Sequence, residues 1–157
     1  MKNHTPTRPE LSEAGQLKAA KMTAELIVRW ANHASLNSAR LAVDIAGQYS
    51  GHMNGYELAK ELDRHCGYQP DTEMVESLDA MSSYVDDVYK KEIQQWVVDL
   101  NIEPPFPEQT PITIGLITAV STYSPACYEV RRKGDSEDSG RRLIVKFEDA
   151  VYAGEAA

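Results

Sequence analysis

The spacing of apolar residues changes once along this chain, and that change most limits what the chain can fold into. Between about Leu11 and Leu100, apolar residues recur every three or four positions, which is the period of helices packed on one side. A proline-rich segment at 104–107 cannot continue a helix. Beyond it the period becomes two and β-branched residues dominate, as half-buried strands prefer. The sequence therefore predicts an α+β protein, with a bundle of about four helices at residues 10–103 and an antiparallel β meander at residues 111–152.

Residues that start and stop helices support the helical segments. Ser12 precedes the first apolar run, where its hydroxyl can cap the free amide groups. A third helix is predicted from Tyr56 to Cys66, because Gly67 follows it and can adopt the left-handed conformation that ends helices. The fourth helix is predicted to begin at Asp71 and to run without a break as far as Leu100.

Three strands are expected in the meander. The first spans Ile112 to Val120, and Gly115 within it permits a bulge or a sharp bend. The second spans Cys127 to Arg132 and the third Arg142 to Phe147, joined by the loop Gly134–Gly140. Because a three-stranded sheet leaves one face to cover, we expect the sheet to pack on the helices, either sharing one core or forming a small second subdomain.

The surplus negative charge is confined to one third of the chain. Residues 57–108 hold 13 acidic and 4 basic residues, a balance of 4 − 13 = −9, whereas the remaining 12 basic and 11 acidic residues nearly cancel. No Lys or Arg occurs from Asp71 to Asp87. On the predicted fourth helix these acids fall opposite the apolar face, so they form an acidic stripe.

The acidic stripe has two interpretations. The simpler one is the solvated outer face of an amphipathic helix. Surface helices, however, usually interleave cations that relieve like-charge repulsion, and this stretch has none. That omission favours docking on a basic partner, where complementary charge speeds association, and tyrosine is enriched at such interfaces. The residues predicted to contact the partner are Glu73, Glu76, Asp79, Tyr84, Asp86 and Asp87.

We therefore predict a non-enzymatic, acidic protein-binding module whose partner is a basic surface of a nucleic-acid-handling complex. Carboxylates one helical turn apart, roughly 5.4 Å, can occupy a groove built for phosphates. Phage-encoded inhibitors of restriction and CRISPR systems often work this way, and the analogy is one of mechanism and size rather than of any residue motif. The expected location is the cytoplasm, including that of a host cell, without membrane contact. The identity of the partner and the oligomeric state stay open.

The first alternative is a Mg²⁺-dependent nucleotide hydrolase. Glu73, Glu76 and Asp79 place three carboxylates on one predicted helix, and carboxylate oxygens suit Mg²⁺. Such a site needs a second acidic pair facing the first, and Glu57 with Glu61 is the nearby candidate. Short motifs of this kind are weak evidence, so the hydrolase ranks below the binding module.

The second alternative is a DNA-binding accessory protein that uses a basic hairpin. In the simpler interpretation, the acids at the tip of the hairpin loop neutralise its cations. Because the net charge is −8, the chain as a whole repels nucleic acid, and we do not expect it to bind nucleic acid directly. The hairpin cations are Arg131, Arg132, Lys133, Arg141 and Arg142.

No motif indicates catalysis, a cofactor or a metal. The chain has no glycine-rich nucleotide loop and no nucleophile elbow, and its histidines lack the spacing of a zinc site. Cys66 and Cys127 could in principle pair, although an intracellular chain normally keeps its cysteines as free thiols. No apolar run reaches the roughly 18 residues of a membrane span, and the polar residues 1–10 predict no export signal.

Overall fold

The computed structural model of this chain describes residues 1–155. Within that range, five α-helices precede a four-stranded antiparallel sheet, which confirms the predicted α+β class and corrects the strand count from three to four. The helices are α1 (Glu13–Val28), α2 (Ser38–Gln48), α3 (Gly55–Cys66), α4 (Thr72–Leu78) and α5 (Ala80–Asp99). The strands are β1 (Pro111–Ile112), β2 (Gly115–Val120), β3 (Cys127–Arg132) and β4 (Leu143–Lys146).

The chain groups into two compact units. The helical unit is Glu10–Tyr89, and the sheet unit combines Met1–Pro9 with the chain from Lys90 onward. Each unit has its own cluster of buried apolar side chains. Among residues 1–155, no helix is both long enough and apolar enough to cross a bilayer.

The helical unit is held by side-chain caps and a tightly packed core. The Ser12 hydroxyl accepts a hydrogen bond from the Gly15 N–H at 2.9 Å, as predicted. Gly67 ends α3 with φ at +77°, the left-handed conformation expected from the sequence. Small alanines on α1 let the other helices approach closely. The fully buried side chains of this core include Ala19, Ala20, Ala24, Ile27, Leu41, Ile45, Leu58, Leu62, Leu78 and Met81.

The predicted fourth helix is interrupted once. The structure divides it into α4 and α5 at Asp79, so the expectation of one unbroken helix is wrong. Asp79 keeps helical dihedral angles, φ −58° and ψ −26°, which makes the interruption a single residue wide. The first residue of α3, Gly55, lies against this turn: a β-carbon on Gly55 would lie 2.2 Å from the Val75 carbonyl oxygen. The interruption therefore occurs where another helix begins against the same backbone.

The sheet is a meander in the order β1-β2-β3-β4. Its first predicted strand is in fact two strands, because the chain turns back after Ile112 and pairs Ile112 with Gly115. Gly115 lies so close to β3 that a β-carbon there would lie 2.1 Å from the Arg131 carbonyl oxygen. Of the two features that Gly115 was expected to permit, the sharp bend occurs in the turn just before it, and a bulge occurs at Thr118, between the paired residues on either side of it. β3 has the predicted bounds.

The core of the sheet unit is aromatic. The Tyr128 hydroxyl is fully buried and both accepts from the Phe106 N–H and donates to the Phe106 carbonyl, each at 2.7 Å. The rings of Tyr128 and Phe147 lie 4.7 Å apart between centroids. The first residues of the chain belong to this unit, since Asn3 donates to the Ala150 carbonyl at 2.9 Å and Arg8 to the Ala126 carbonyl at 2.6 Å.

Candidate functional site

The predicted contact acids lie on two helices rather than on one. Glu73 and Glu76 lie on α4, and Asp86 and Asp87 lie on α5. Glu76, Asp86 and Asp87 are exposed, whereas Glu73 is half-buried. We call these four residues the acidic face. The expectation of a single continuous row of carboxylates is corrected to two pairs, separated by the interruption at Asp79.

Asp79 has a structural role that the helical periodicity did not anticipate. Asp79 is exposed, yet its Oδ1 accepts a hydrogen bond from the Gly55 N–H at 2.5 Å. Gly55 is the first residue of α3, and its N–H has no partner within that helix. The neighbouring Asn54 side chain accepts from the Glu57 N–H at 2.8 Å. Two side chains therefore cap the start of α3, and one of them comes from the chain between α4 and α5.

The acidic face has no cationic partner in its own unit. Among residues 10–89, no Lys, Arg or His nitrogen lies within ion-pair distance of Glu73, Glu76, Asp86 or Asp87. The pairs that the helical unit does form lie elsewhere, as when Glu61 meets Arg64 Nη1 at 3.4 Å. Because Glu73 and Glu76 are three residues apart on one helix, their like charges repel. Within the helical unit the four carboxylates therefore form no ion pair, and the nearest cations along the chain are Lys90 and Lys91, four residues after Asp86 and Asp87 on α5.

Asp71, by contrast, is fully engaged in the fold. Its Oδ1 accepts from the Met74 N–H at 2.9 Å and caps α4, as the sequence predicted. Its Oδ2 lies 2.6 Å from Asn32 Nδ2 and 2.9 Å from His33 Nε2. The Met74 N–H, followed by His33, lowers the pKa of the Asp71 carboxyl from its usual value. This carboxylate stabilises a helix start and is not part of the acidic face.

An exposed tyrosine adjoins Asp79, and sequence reasoning did not select it. Tyr56 follows Gly55, is 62% exposed, and carries Lys60 Nζ 5.1 Å from its ring centroid. The tyrosine that we did predict as a contact, Tyr84, is half-buried and packs against the apolar core. An exposed tyrosine is typical of protein interfaces. Tyr56 could have been recognised only from the packing of α3, because its spacing fits the inner or the outer face equally well.

The carboxylates proposed for a Mg²⁺ site do not converge. Within residues 1–155, no three His, Cys, Asp or Glu side chains are grouped so that they could hold a metal ion. Asp79 Oδ1 accepts a hydrogen bond from the Gly55 N–H. The Glu61 carboxylate lies within ion-pair distance of both Arg64 Nη1 and His65 Nε2, the latter at 3.1 Å. The hydrolase alternative stays a prediction, and it would need ligands that reach the site by rearrangement.

The five hairpin cations lie at the two ends of the loop between β3 and β4, and three of them, Arg132, Arg141 and Arg142, line one hollow. In the sheet unit, over residues 1–9 and 90–155, no carboxylate lies within 4.0 Å of any of their side-chain nitrogens. The loop acids therefore form no ion pair with these cations in this part of the chain, although Asp135 lines the same hollows as Arg132. Arg132 lines two neighbouring hollows of about 620 Å³ and about 110 Å³.

Both cysteines are free thiols, as expected. Cys127 is buried in the sheet unit, and burial raises the pKa of its thiol. Its Sγ lies 3.4 Å from the Pro125 carbonyl and 3.8 Å from Arg8 Nη1. Burial also raises the pKa of the Cys66 thiol, with the charge of Asp44 as the next cause. Neither thiol is therefore activated as a nucleophile.

Net charge divides unequally between the two units. The helical unit holds 6 basic and 13 acidic residues, 6 − 13 = −7, and the sheet unit holds 10 basic and 11 acidic residues, 10 − 11 = −1. Almost all of the net charge of −8 therefore belongs to the unit that carries the acidic face.

Comparison of this chain with protein-family models, with curated proteins and with solved structures finds no match.

Proposed function

We propose that this protein is a stoichiometric, non-enzymatic binder whose acidic face docks on a basic surface of a nucleic-acid-handling complex. The observation that carries the proposal is the acidic face itself: four carboxylates, none of them paired with a cation of its own unit, in a stretch without Lys or Arg from His65 to Tyr89. In this role the protein is an inhibitor of the kind that phages and mobile elements encode. It acts by occupying a place that nucleic acid otherwise fills.

The proposal is supported by the difference between acids that form hydrogen bonds within the helical unit and acids that form none. Asp71 and Asp79 form hydrogen bonds that the fold needs, whereas Glu76, Asp86 and Asp87 are exposed and bond nothing in their unit. Like charges that bond nothing cost a few tenths of a kcal/mol per neighbouring pair. A partner rich in Lys and Arg removes this cost and gains electrostatic attraction that accelerates encounter.

Tyr56 gives the proposed interface an apolar anchor beside the charges. Interfaces derive most of their affinity from a few buried aromatic or arginine contacts, while charged residues determine rate and specificity. Tyr56 is the most exposed aromatic side chain of the helical unit and adjoins the α3 start that Asp79 caps. We therefore expect Tyr56 to contribute affinity and the acidic face to contribute salt sensitivity.

The experiment is a pull-down from nuclease-treated bacterial lysate with the tagged full chain, followed by mass spectrometry. The test variant is Glu73→Gln/Glu76→Gln/Asp86→Asn/Asp87→Asn, which removes four charges and keeps the side-chain volumes. The matched control is Glu10→Gln/Glu13→Gln/Glu25→Gln/Asp63→Asn, which removes four exposed charges elsewhere in the same unit. We expect wild type and control to retain a nucleic-acid-binding protein, and the test variant to lose it.

A competitor decides whether the partner's nucleic-acid site is the one occupied. Added oligonucleotide should release the captured protein, because both ligands need the same cations. Retention by the test variant equal to that of wild type would refute the acidic face as the docking surface. Circular dichroism of all three proteins should be the same, which separates lost binding from lost folding.

A further inference from the structure

The two hollows of the sheet unit adjoin at shared lining residues, and we call them together the basic depression. The larger, about 620 Å³, is lined by residues of β1 and β2, by the end of β3 and by the start of the hairpin loop. The smaller, about 110 Å³, is lined by Arg132, Asp135, Arg141, Arg142 and Leu143. Arg132 and Asp135 line both hollows. A ligand that spans them would therefore meet Arg132 from either side.

Hydrogen bonds within the hairpin fix its backbone at Arg132 and the side chain of Arg142. The Asp135 N–H donates to the Arg132 carbonyl at 3.0 Å, across a turn in which Gly134 has φ at +94°. Arg142 Nη1 donates to the Ser139 carbonyl at 2.6 Å and to the Arg141 carbonyl at 2.7 Å. The loop thus brings arginines from both of its ends to one place without any ion pair.

The cations lie beside an apolar wall. Pro111, Ile112 and Leu116 line the larger hollow together with Arg131, Arg132 and Lys133. Its volume falls within the roughly 300–1,000 Å³ that small-molecule sites occupy. The smaller hollow is several times the roughly 30 Å³ that one water occupies in the liquid, which leaves room for a compact anion. A cluster of cations next to an apolar wall matches a ligand with one anionic end and one flat apolar end.

From this arrangement we infer that the depression binds a nucleotide through its phosphate. Arg132 and Arg141 hold the phosphate, because planar guanidinium groups match phosphate oxygens with two parallel hydrogen bonds. Pro111 and Leu116 contact the base or the sugar. The inference does not rest on the acidic face or on the proposed partner. It also fits the charge of this unit, which is −1, since the charge that repels nucleic acid belongs to the helical unit.

A phosphate of this kind has two sources, a free nucleotide and a strand of nucleic acid. Isothermal titration with ADP, inorganic phosphate, adenosine and a short single-stranded oligonucleotide distinguishes them. We expect ADP to bind, phosphate to bind more weakly and adenosine not to bind. If the oligonucleotide binds and ADP does not, the site stands and its ligand is a strand. If neither binds at low salt, the inference is wrong.

The test variant is Arg132→Gln/Arg141→Gln, because neither side chain forms a hydrogen bond or an ion pair in the sheet unit. It should weaken binding at least about tenfold, since charge-assisted hydrogen bonds are the strong ones. The matched control is Lys2→Gln/Lys91→Gln, which removes the same charge from exposed positions away from the depression. Equal weakening in the control would mean that bulk charge binds the ligand, and it would overturn the site. Binding of a glutamate-rich peptide in place of the nucleotide would overturn it as well.

Discussion

The helical unit has 13 acids and 6 cations, whereas the sheet unit has 11 acids and 10 cations, so the units differ in their cations far more than in their acids. In each unit, a few charged side chains are built into the fold and a cluster of one sign is left over. Asp71 and Asp79 cap helices in the helical unit, and Arg8 bonds Glu148 and two carbonyls in the sheet unit.

The comparison teaches that hydrogen bonding, rather than sequence position, separates structural charges from surface charges. The acidic face and the hairpin cations bond no oppositely charged group of their own unit, although residues of opposite sign occur in both units. Charges that a fold does not use are the ones available to another molecule. If hydrogen bonding separates the two kinds of charge, the most deeply buried and bonded charge should be the most costly to remove.

Removal of Arg8 should have the largest effect. Its side chain is 9% exposed, its Nε lies 2.8 Å from Glu148 Oε1, and its guanidinium also bonds the Ala126 carbonyl at 2.6 Å. Arg8→Met removes the cation that pairs with Glu148 and the guanidinium hydrogen bonds to the Pro125 and Ala126 carbonyls, so we expect a loss of about 3 kcal/mol in the free energy of unfolding. Urea denaturation followed by tryptophan fluorescence measures it.

Its matched control is Arg132→Met, which removes a charge from the hairpin that the fold does not use. This variant should stay within about 0.5 kcal/mol of wild type, as surface substitutions usually do. If both arginine variants lose the same stability, the separation between structural and surplus charge in the sheet unit fails.

Gly55→Ala tests the contact at the interruption of the fourth helix. The added β-carbon would lie 2.2 Å from the Val75 carbonyl and 2.7 Å from the Asp79 amide nitrogen, both of them backbone atoms. Overpacking of this kind costs about 2 kcal/mol, and the shift would also break the Asp79 cap. The expected result is a lower melting temperature in a circular dichroism scan.

Gly47→Ala is the control for Gly55→Ala, because a β-carbon on Gly47, within α2, meets nothing within 4 Å. It should stabilise the protein by about 0.5–1 kcal/mol, since alanine loses less backbone entropy in a helix than glycine does. A destabilised Gly47→Ala together with an unaffected Gly55→Ala would contradict the packing described above.

Local signals predicted most of the fold, because caps and periodicity are written in neighbouring residues. Ser12, Gly67 and Asp71 end or begin helices as expected, and β3 has the expected bounds. A bend at Gly115 was expected, but a separate strand before it was not, since the close approach of the β3 backbone to Gly115 is a tertiary contact. The same limit applies to the interruption at Asp79, which depends on where α3 packs.

In the candidate site, too, the sequence predicted what depends on local periodicity and not what depends on tertiary contacts. Exposure of Glu76, Asp86 and Asp87 followed from helical periodicity, as did the outward position of Asp79. The hydrogen bond from Gly55 to Asp79 joins residues 24 positions apart, and no local pattern indicates it. Tyr56 was missed for the same reason. The pairing of charges is a tertiary property, so sequence predicted which charges were present but not which of them the fold uses.

Neutralisation of the acidic face should change stability only slightly, and in the favourable direction. The variant in which the four acids of the acidic face become Gln or Asn relieves the repulsion between Glu73 and Glu76, worth a few tenths of a kcal/mol. It breaks no ion pair of the helical unit. We therefore expect the midpoint of urea unfolding to rise or to stay unchanged. A fall of about 1 kcal/mol or more in the free energy of unfolding would mean that these carboxylates support the fold. The contrast with Asp71 and Asp79 would then be lost.

The smallest effect is expected from Asp71→Asn, and it depends on pH. Asparagine caps helices as well as aspartate does, so the variant keeps the bond from the Met74 N–H. It loses the charge and, at the position of Oδ2, the acceptor that Asn32 Nδ2 and His33 Nε2 meet at the exposed side of this residue. Because the folded state lowers the pKa of Asp71, its charge stabilises the protein above the unfolded-state value, about 3.9, and this contribution is lost as the pH falls through the folded-state pKa. Wild type should therefore exceed the variant in stability at neutral pH, and the gap should close in acid. A gap that widens in acid would reverse the sign of the linkage, and Asp71 would then belong with the surplus acids rather than with the caps.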